Sequence, residues 1–189
     1  MHTLVVVDAQ NEFSSHGLRP ASGHADALEA IALRVEEARR EGRPIAWIRH
    51  HNRPDEPSAF RPGTWGAEYS PGLGPVERGD AERGDAEREF IKDVYGAFTG
   101  TDLEAWLREL GSEEVLLVGF FAHMCVSTTA REGLMRGLAV AVDPAGVASH
   151  DLDHPHLGPL TADEVRRSAL LHLADMGAQI RPQEAGVTT

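Results

Sequence analysis

The chain has one cysteine, Cys125, in 189 residues, and no apolar run approaches the length needed to cross a bilayer. A lone cysteine excludes an internal disulfide framework, so a reducing, cytoplasmic setting is expected. Positive charge is also scarce. Eighteen Lys and Arg face thirty Asp and Glu, a net charge of −12, with a pI near 5.2. That balance excludes a basic nucleic-acid groove or a polybasic membrane-binding face as the organising feature, because both need clustered positive potential. Aromatic residues make up 6%. The N-terminal apolar stretch after Met1-His2-Thr3 is too short for a signal peptide. The length suits one domain over residues 1–189, with residues 181–189 read as a frayed tail.

Short apolar runs alternate with amphipathic segments along the chain. Leu4–Val7, Ile45–Ile48, Glu89–Ile91, Val115–Val118, Leu138–Val142 and Ala178–Ile180 read as strands, several apolar throughout, as buried parallel strands are. Between them, helices are predicted over 24–41, from Asp102 to Gly111, over 126–135 and over 161–175. The pattern predicts an α/β fold: a three-layer, doubly wound, mainly parallel six-stranded sheet. A Pro/Gly-rich segment from Pro54 to Pro75 carries Phe60, Trp65 and Tyr69 and reads as an ordered loop over a site. A direct repeat over 78–87, Arg-Gly-Asp-Ala-Glu twice, reads as an exposed insertion, and residues 143–159 as a loop.

Three chemically active residues fall at strand ends. Asp8 follows the first strand, Lys92 the third and Cys125 the fourth, where a predicted helix begins. In an open α/β sheet those ends share one rim, the usual place for a site. Taken singly, Asp8 could be a turn cap, Lys92 a surface lysine and Cys125 a small buried hydrophobe. Together they form a working set: a carboxylate to move a proton, an ammonium to support charge, and a thiol whose place at a helix N-terminus favours the nucleophilic thiolate.

The segments Val7–Phe13, Arg61–Gly66, Lys92 with Ala97–Leu103, and Gly119–Val126 together resemble the isochorismatase-like cysteine hydrolases. That group includes nicotinamidases, N-carbamoylsarcosine amidase and ureidoacrylate amidohydrolases. The resemblance covers about residues 3–180. It implies an Asp8-Lys92-Cys125 triad, a non-proline cis peptide at Phe121–Ala122, and an oxyanion hole made by the backbone N–H groups of Ala122 and Cys125. It further implies a small-molecule amide or ureido substrate, C–N hydrolysis through a thioester, and a homo-oligomer. Gln10, Phe13, His51, Trp65, Tyr95 and His123 are the candidate substrate contacts. Nicotinamidases hold a metal through an Asp-x-His motif and a second histidine. Here the matching stretches read Arg49-His50-His51 and Glu56-Pro57-Ser58, so no metal and no cofactor are expected. His150, His154 and His156 read as solvated histidines. The alternatives are an isochorismatase-type vinyl-ether hydrolase and a non-catalytic small-molecule-binding protein of the same fold.

Overall fold

A computed structural model describes residues 2–76 and 87–183. The charged repeat, apart from Glu87, and the last six residues of the tail lie outside the described residues. The elements run β1 (His2–Val7), α1 (His24–Glu41), β2 (Ile45–His50), β3 (Glu87–Lys92), α2 (Leu103–Glu109), β4 (Glu114–Phe120), α3 (Ser127–Met135), β5 (Ala139–Ala148), β6 (Leu152–His154), β7 (Gly158–Leu160), α4 (Ala162–Asp175) and β8 (Gln179–Ile180).

Six strands form one parallel sheet in the order β3-β2-β1-β4-β5-β8. The chain builds outward from β1 through β2 to β3, then returns to the other side of β1 with β4. The crevice at this reversal, outside the carboxyl ends of β1 and β4, is where such sheets accept ligands.

Alternation along each strand divides the core into two layers. Val5 and Val7 of β1, Ile48, Phe90, Leu117 and Val142 pack on one face with Trp106 and Leu107 of α2, Ala130 of α3 and Leu173 of α4. Leu4, Val6, Trp47, Leu116 and Val118 pack on the other with Ile31 and Val35 of α1. Both faces are covered, which is why the strands read as continuous apolar runs rather than alternating ones. Fully burying side chains of this size contributes roughly 1.5–3 kcal/mol each.

Local signals end the helices where chemistry requires. Gly42 closes α1 at φ 66°, donating to the carbonyls of Ala38 and Arg39. Thr161 and Glu164 form a reciprocal capping box that starts α4. Gly119 has the most specific duty. Its φ is 126°, and a Cβ there would lie 1.8 Å from the Val7 carbonyl oxygen, so only glycine lets β4 pass beside the end of β1.

The region after Val142 departs from the expected loop. β5 continues to Ala148 through an irregularity in its pairing with β4, and β6 and β7 form a short antiparallel hairpin. Asp143 and Pro144 interrupt the apolar pattern, which masks the strand. Asp143 is nevertheless buried, because Arg34 of α1 donates to its Oδ2 at 2.7 Å and Ala145 N–H to its Oδ1 at 2.9 Å.

Candidate active site

Asp8, Lys92 and Cys125 meet at the rim of the sheet. Asp8 leaves β1 with φ 51°, an unusual conformation for a residue with a side chain, while its N–H still bonds the Ile48 carbonyl at 3.0 Å. Lys92 ends β3, two strands away, and its long side chain crosses the end of β2. Its Nζ donates to Asp8 Oδ2 at 2.7 Å and to Cys125 Sγ at 3.4 Å. Asp8 Oδ1 is buried and has no hydrogen-bond partner among the described residues. A carboxylate with one oxygen fixed and the other uncommitted is suited to receive a proton.

Cys125 lies within a wide, π-type turn over Ala122–Val126 that leads into α3. The cis peptide that precedes it joins Phe120 and Phe121, one bond earlier than the expected Phe121–Ala122. The Phe121 carbonyl already serves as the first acceptor of the turn, taking the N–H groups of Met124 and Val126 at 3.1 and 3.2 Å, so the chain has reversed before Ala122.

Electrostatics of the thiol differ from the expectation of a resting thiolate. Burial pushes the Cys125 thiol up, the Asp8 carboxylate beside it pushes it further, and Lys92 opposes both only in part. For Lys92, burial disfavours the charge, but Asp8 and then Cys125 outweigh it and hold the ammonium above the ordinary lysine range. The site pairs Lys92 with Asp8 beside a thiol whose ionisation burial and the carboxylate disfavour.

Asp8 and Cys125 line a cavity of about 340 Å³, with Lys92 buried behind them. Phe13, Phe60 and Phe121 form an aromatic wall; the Phe13 ring lies 5.1 Å from that of Phe60 and 4.7 Å from that of Phe121. Tyr95, Arg19 and Arg53 stand at the more exposed side. Arg53 pairs with Asp93 at 3.3 Å, whereas Arg19 has no ion-pair partner among the described residues.

The Isochorismatase domain profile matches residues 2–180. The chain belongs to the isochorismatase family. It is 32% identical over 173 residues to a secreted isochorismatase effector of Verticillium dahliae, an alignment covering 92% of this chain and 83% of that protein. It is 31% identical over 159 residues to the nicotinamidase/pyrazinamidase of Mycobacterium tuberculosis, covering 75% of this chain and 83% of the relative. In three dimensions it is similar to an isochorismatase of Pseudomonas putida, with a TM-score of 0.85 and 31% identity over 96% of this chain and 88% of the other. Members of the isochorismatase family are hydrolases, amidases acting on C–N bonds among them.

Within this family site the predicted contacts separate. Phe13 and Tyr95 line the cavity. Gln10 does not: it is buried and its amide is committed to the backbone, donating to the carbonyls of His50 at 3.0 Å and Ala67 at 2.9 Å and accepting from His50 N–H at 2.9 Å. Trp65 is 55% exposed and lies away from the cavity. His123 lines a separate depression beside α4, with its Nδ1 3.1 Å from Ser149 Oγ. Burial, His150 and Arg19 lower its pKa to about 4.

His50, not His51, faces the site. In the parallel register His50 pairs with Lys92 and Ile48 with Phe90, and paired residues share a face. His51 instead has Arg49, Glu89 and Glu68 around its side chain. The residues present do not fit the metal of the nicotinamidases. Both ring nitrogens of His50 are engaged, Nδ1 with Lys92 and Nε2 with Asn52, and no three His, Cys, Asp or Glu side chains among the described residues are grouped as a metal site requires.

Two positioning carboxylates are absent from the predicted site residues, although Glu12 lies within the Val7–Phe13 segment. Glu12 is buried and accepts from Leu18 N–H at 2.6 Å and Phe60 N–H at 3.1 Å, drawing two walls of the cavity together. Glu132 of α3 accepts from Phe98 N–H at 3.0 Å and from the Thr99 hydroxyl, fastening the segment after Lys92 to the helix that follows Cys125.

Proposed function

We propose that the protein is a cysteine hydrolase that cleaves the C–N bond of a small amide or ureido compound through a thioester. The observation that carries this reading is the shared ammonium: Lys92 Nζ bonds both Asp8 Oδ2 and Cys125 Sγ, two residues of the cavity wall, while Asp8 Oδ1 has no hydrogen-bond partner among the described residues.

In this mechanism Asp8 Oδ1 takes the thiol proton as Sγ attacks the substrate carbonyl carbon. Backbone N–H groups of the turn that leads into α3, that of Cys125 among them, stabilise the resulting oxyanion. Asp8 then passes the proton to the substrate nitrogen, the C–N bond breaks, and ammonia or an amine departs. Water, deprotonated by Asp8, attacks the thioester carbonyl. The C–S bond breaks, the acid product leaves, and the proton returns to Sγ. Because burial and Asp8 disfavour the thiolate, the mechanism couples proton transfer to attack on a bound substrate. A cavity of this size with an aromatic wall suits a flat, compact amide, and Arg19 at its edge suits a negatively charged substituent.

Vinyl-ether hydrolysis is the second reading, favoured by similarity to a protein named as an isochorismatase effector. Intact-mass spectrometry of wild type and Cys125→Ala, with ammonia release over a panel of amides and ureas, separates the two. A covalent adduct and ammonia from wild type alone support the thioester route. Turnover of a vinyl ether that persists in Cys125→Ala supports the other, and ligand binding without turnover by either protein marks a non-catalytic member. The need for a free thiol agrees with a cytoplasmic location. Exposed Leu152, Leu157 and Leu160 on the β6–β7 hairpin agree with assembly into a homo-oligomer, which sedimentation checks.

A further inference from the structure

The Lys92 ammonium has three N–H bonds, and three acceptors stand around it: Asp8 Oδ2 at 2.7 Å, His50 Nδ1 at 3.2 Å and Cys125 Sγ at 3.4 Å. Lys92 is buried, so its donors have no access to bulk water in this arrangement. The third partner is outside the triad and restricts the histidine to a single form. An ammonium cannot accept a hydrogen bond, so Nδ1 must present its lone pair and the ring proton must sit on Nε2. That proton has its own acceptor, Asn52 Oδ1, at 2.7 Å. The Asn52 amide is oriented in turn, because its Nδ2 donates to the Pro57 carbonyl at 3.2 Å. The donors therefore run in one direction, from Lys92 to His50 and from His50 to Asn52, with no like pair facing. The ring packs edge-on against Phe60, with centroids 5.3 Å apart.

Building on the proposed thioester mechanism, we infer that His50, held by Asn52 as the neutral Nε2–H tautomer, is a positioning residue that fixes the Lys92 ammonium between Asp8 and Cys125. Without the third acceptor the ammonium can rotate, and its bonds to the carboxylate and the sulfur loosen together. The histidine also carries a pH limit. Lys92 and Asp8 face it from the strand ends and Glu56 from the loop, while Cys125, in the turn before α3, lines the same cavity. Burial and then the Lys92 charge lower its pKa, which keeps it neutral near pH 7. On acidification Nδ1 gains a proton, the bond from Lys92 is lost, and two cations stand where one was.

Two measurements test this without any substrate. Long-range nitrogen–proton NMR spectra of the imidazole report which nitrogen is protonated. The Nε2–H tautomer is expected in wild type and in Asn52→Ala, where the Lys92 ammonium still requires the Nδ1 lone pair, with that preference lost in Lys92→Met. A predominant Nδ1–H tautomer, or an imidazolium at neutral pH, overturns the inference. The rate of Cys125 alkylation against pH is the second. His50→Leu should shift this profile, whereas His50→Asn, whose Oδ1 can replace Nδ1 as an acceptor, should restore it. An identical profile in wild type and His50→Leu also overturns the inference.

Once a substrate is known, His50→Leu should lower kcat by about 10–100-fold, the range expected for losing one bond to a charged group, with little change in KM. His50→Asn should recover most of kcat and remove the histidine's contribution to the acidic limb of the pH profile. Asn52→Asp, which stabilises the imidazolium, should move that limb to higher pH. A rise in KM with kcat unchanged would instead make His50 a substrate contact and overturn the positioning role. Failure to find a substrate would challenge the proposed function but would leave the NMR and alkylation outcomes decisive for His50.

Discussion

Lys92 Nζ and Asp8 Oδ2 lie 2.7 Å apart with both side chains closed to solvent. These residues are 84 positions apart in the chain and sit on strands separated by β2. The pair brings a proton carrier and a fixed cation to one point beside the thiol, and it places a stability demand on the fold. Breaking a buried pair by removing one partner typically costs about 3–5 kcal/mol, because the remaining charge is left uncompensated.

Asp8→Asn and Lys92→Met should therefore each lower unfolding stability by roughly that amount. The double variant should be more stable than the sum of the two losses, since neither charge remains buried. Urea denaturation of the four proteins checks this, and additive losses would show that the pair is not energetically coupled. All three variants should lose turnover.

The titration of Cys125 should respond in opposite directions to its two neighbours. Asp8 raises the thiol and Lys92 lowers it, with burial the larger influence. Asp8→Asn should move the pH dependence of iodoacetamide alkylation toward lower pH, and Lys92→Met toward higher pH. Wild type should react slowly at neutral pH. A fast, pH-independent reaction between pH 6 and 8 would mean that a thiolate is already present.

The sheet, its alternation with helices and the rim bearing Asp8, Lys92 and Cys125 were legible because apolar runs and strand ends are local signals. The substrate contacts were less so. His51 and His50 are adjacent in sequence, and only the register of β2 with β3 decides which shares a face with Lys92. Reading parity back from buried Ile48 would have selected His50. Gln10 lies two residues after Asp8, where a polar side chain suggests a ligand contact, yet a backbone from a distant loop occupies it. The apolar pattern ends β5 at Val142, because Asp143 looks like a terminator until Arg34, 109 residues away, is placed against it. In these three cases the deciding partner, Lys92, Ala67 or Arg34, is remote in sequence.

Acid should weaken the fold through histidines that are neutral when packed. Burial, His150 and Arg19 hold His123 down at about 4, against an ordinary value near 6.5, and burial also lowers His24 and His50. Across that interval the unfolded chain binds more protons than the folded one, so stability is full above about pH 6.5 and falls as the pH drops toward 4. Melting temperature measured from pH 7.5 to 4.5 should decline accordingly. His123→Gln should flatten the decline, and an unchanged slope would remove His123 from the linkage.

Gln10 supplies the sharpest contrast between a residue that touches substrate and one that builds the site. Its three amide bonds join the turn after Asp8 to both backbone groups of His50 and to Ala67 in the distant loop. Removing the side chain strands buried carbonyls and an N–H without water, each at a cost of about 1–3 kcal/mol. Gln10→Ala should therefore lower unfolding stability by several kcal/mol in total by the same reasoning. Gln10→Glu should do no better, although it is nearly isosteric, because a carboxylate can accept from His50 N–H but cannot donate to the two carbonyls. A substrate-contact role predicts a different pattern: KM changes while stability holds, as is expected for Tyr95→Phe, whose side chain is half exposed at the cavity edge. Urea denaturation beside steady-state kinetics on these three variants distinguishes the roles, and a Gln10→Ala protein of wild-type stability with an altered KM would return Gln10 to the substrate.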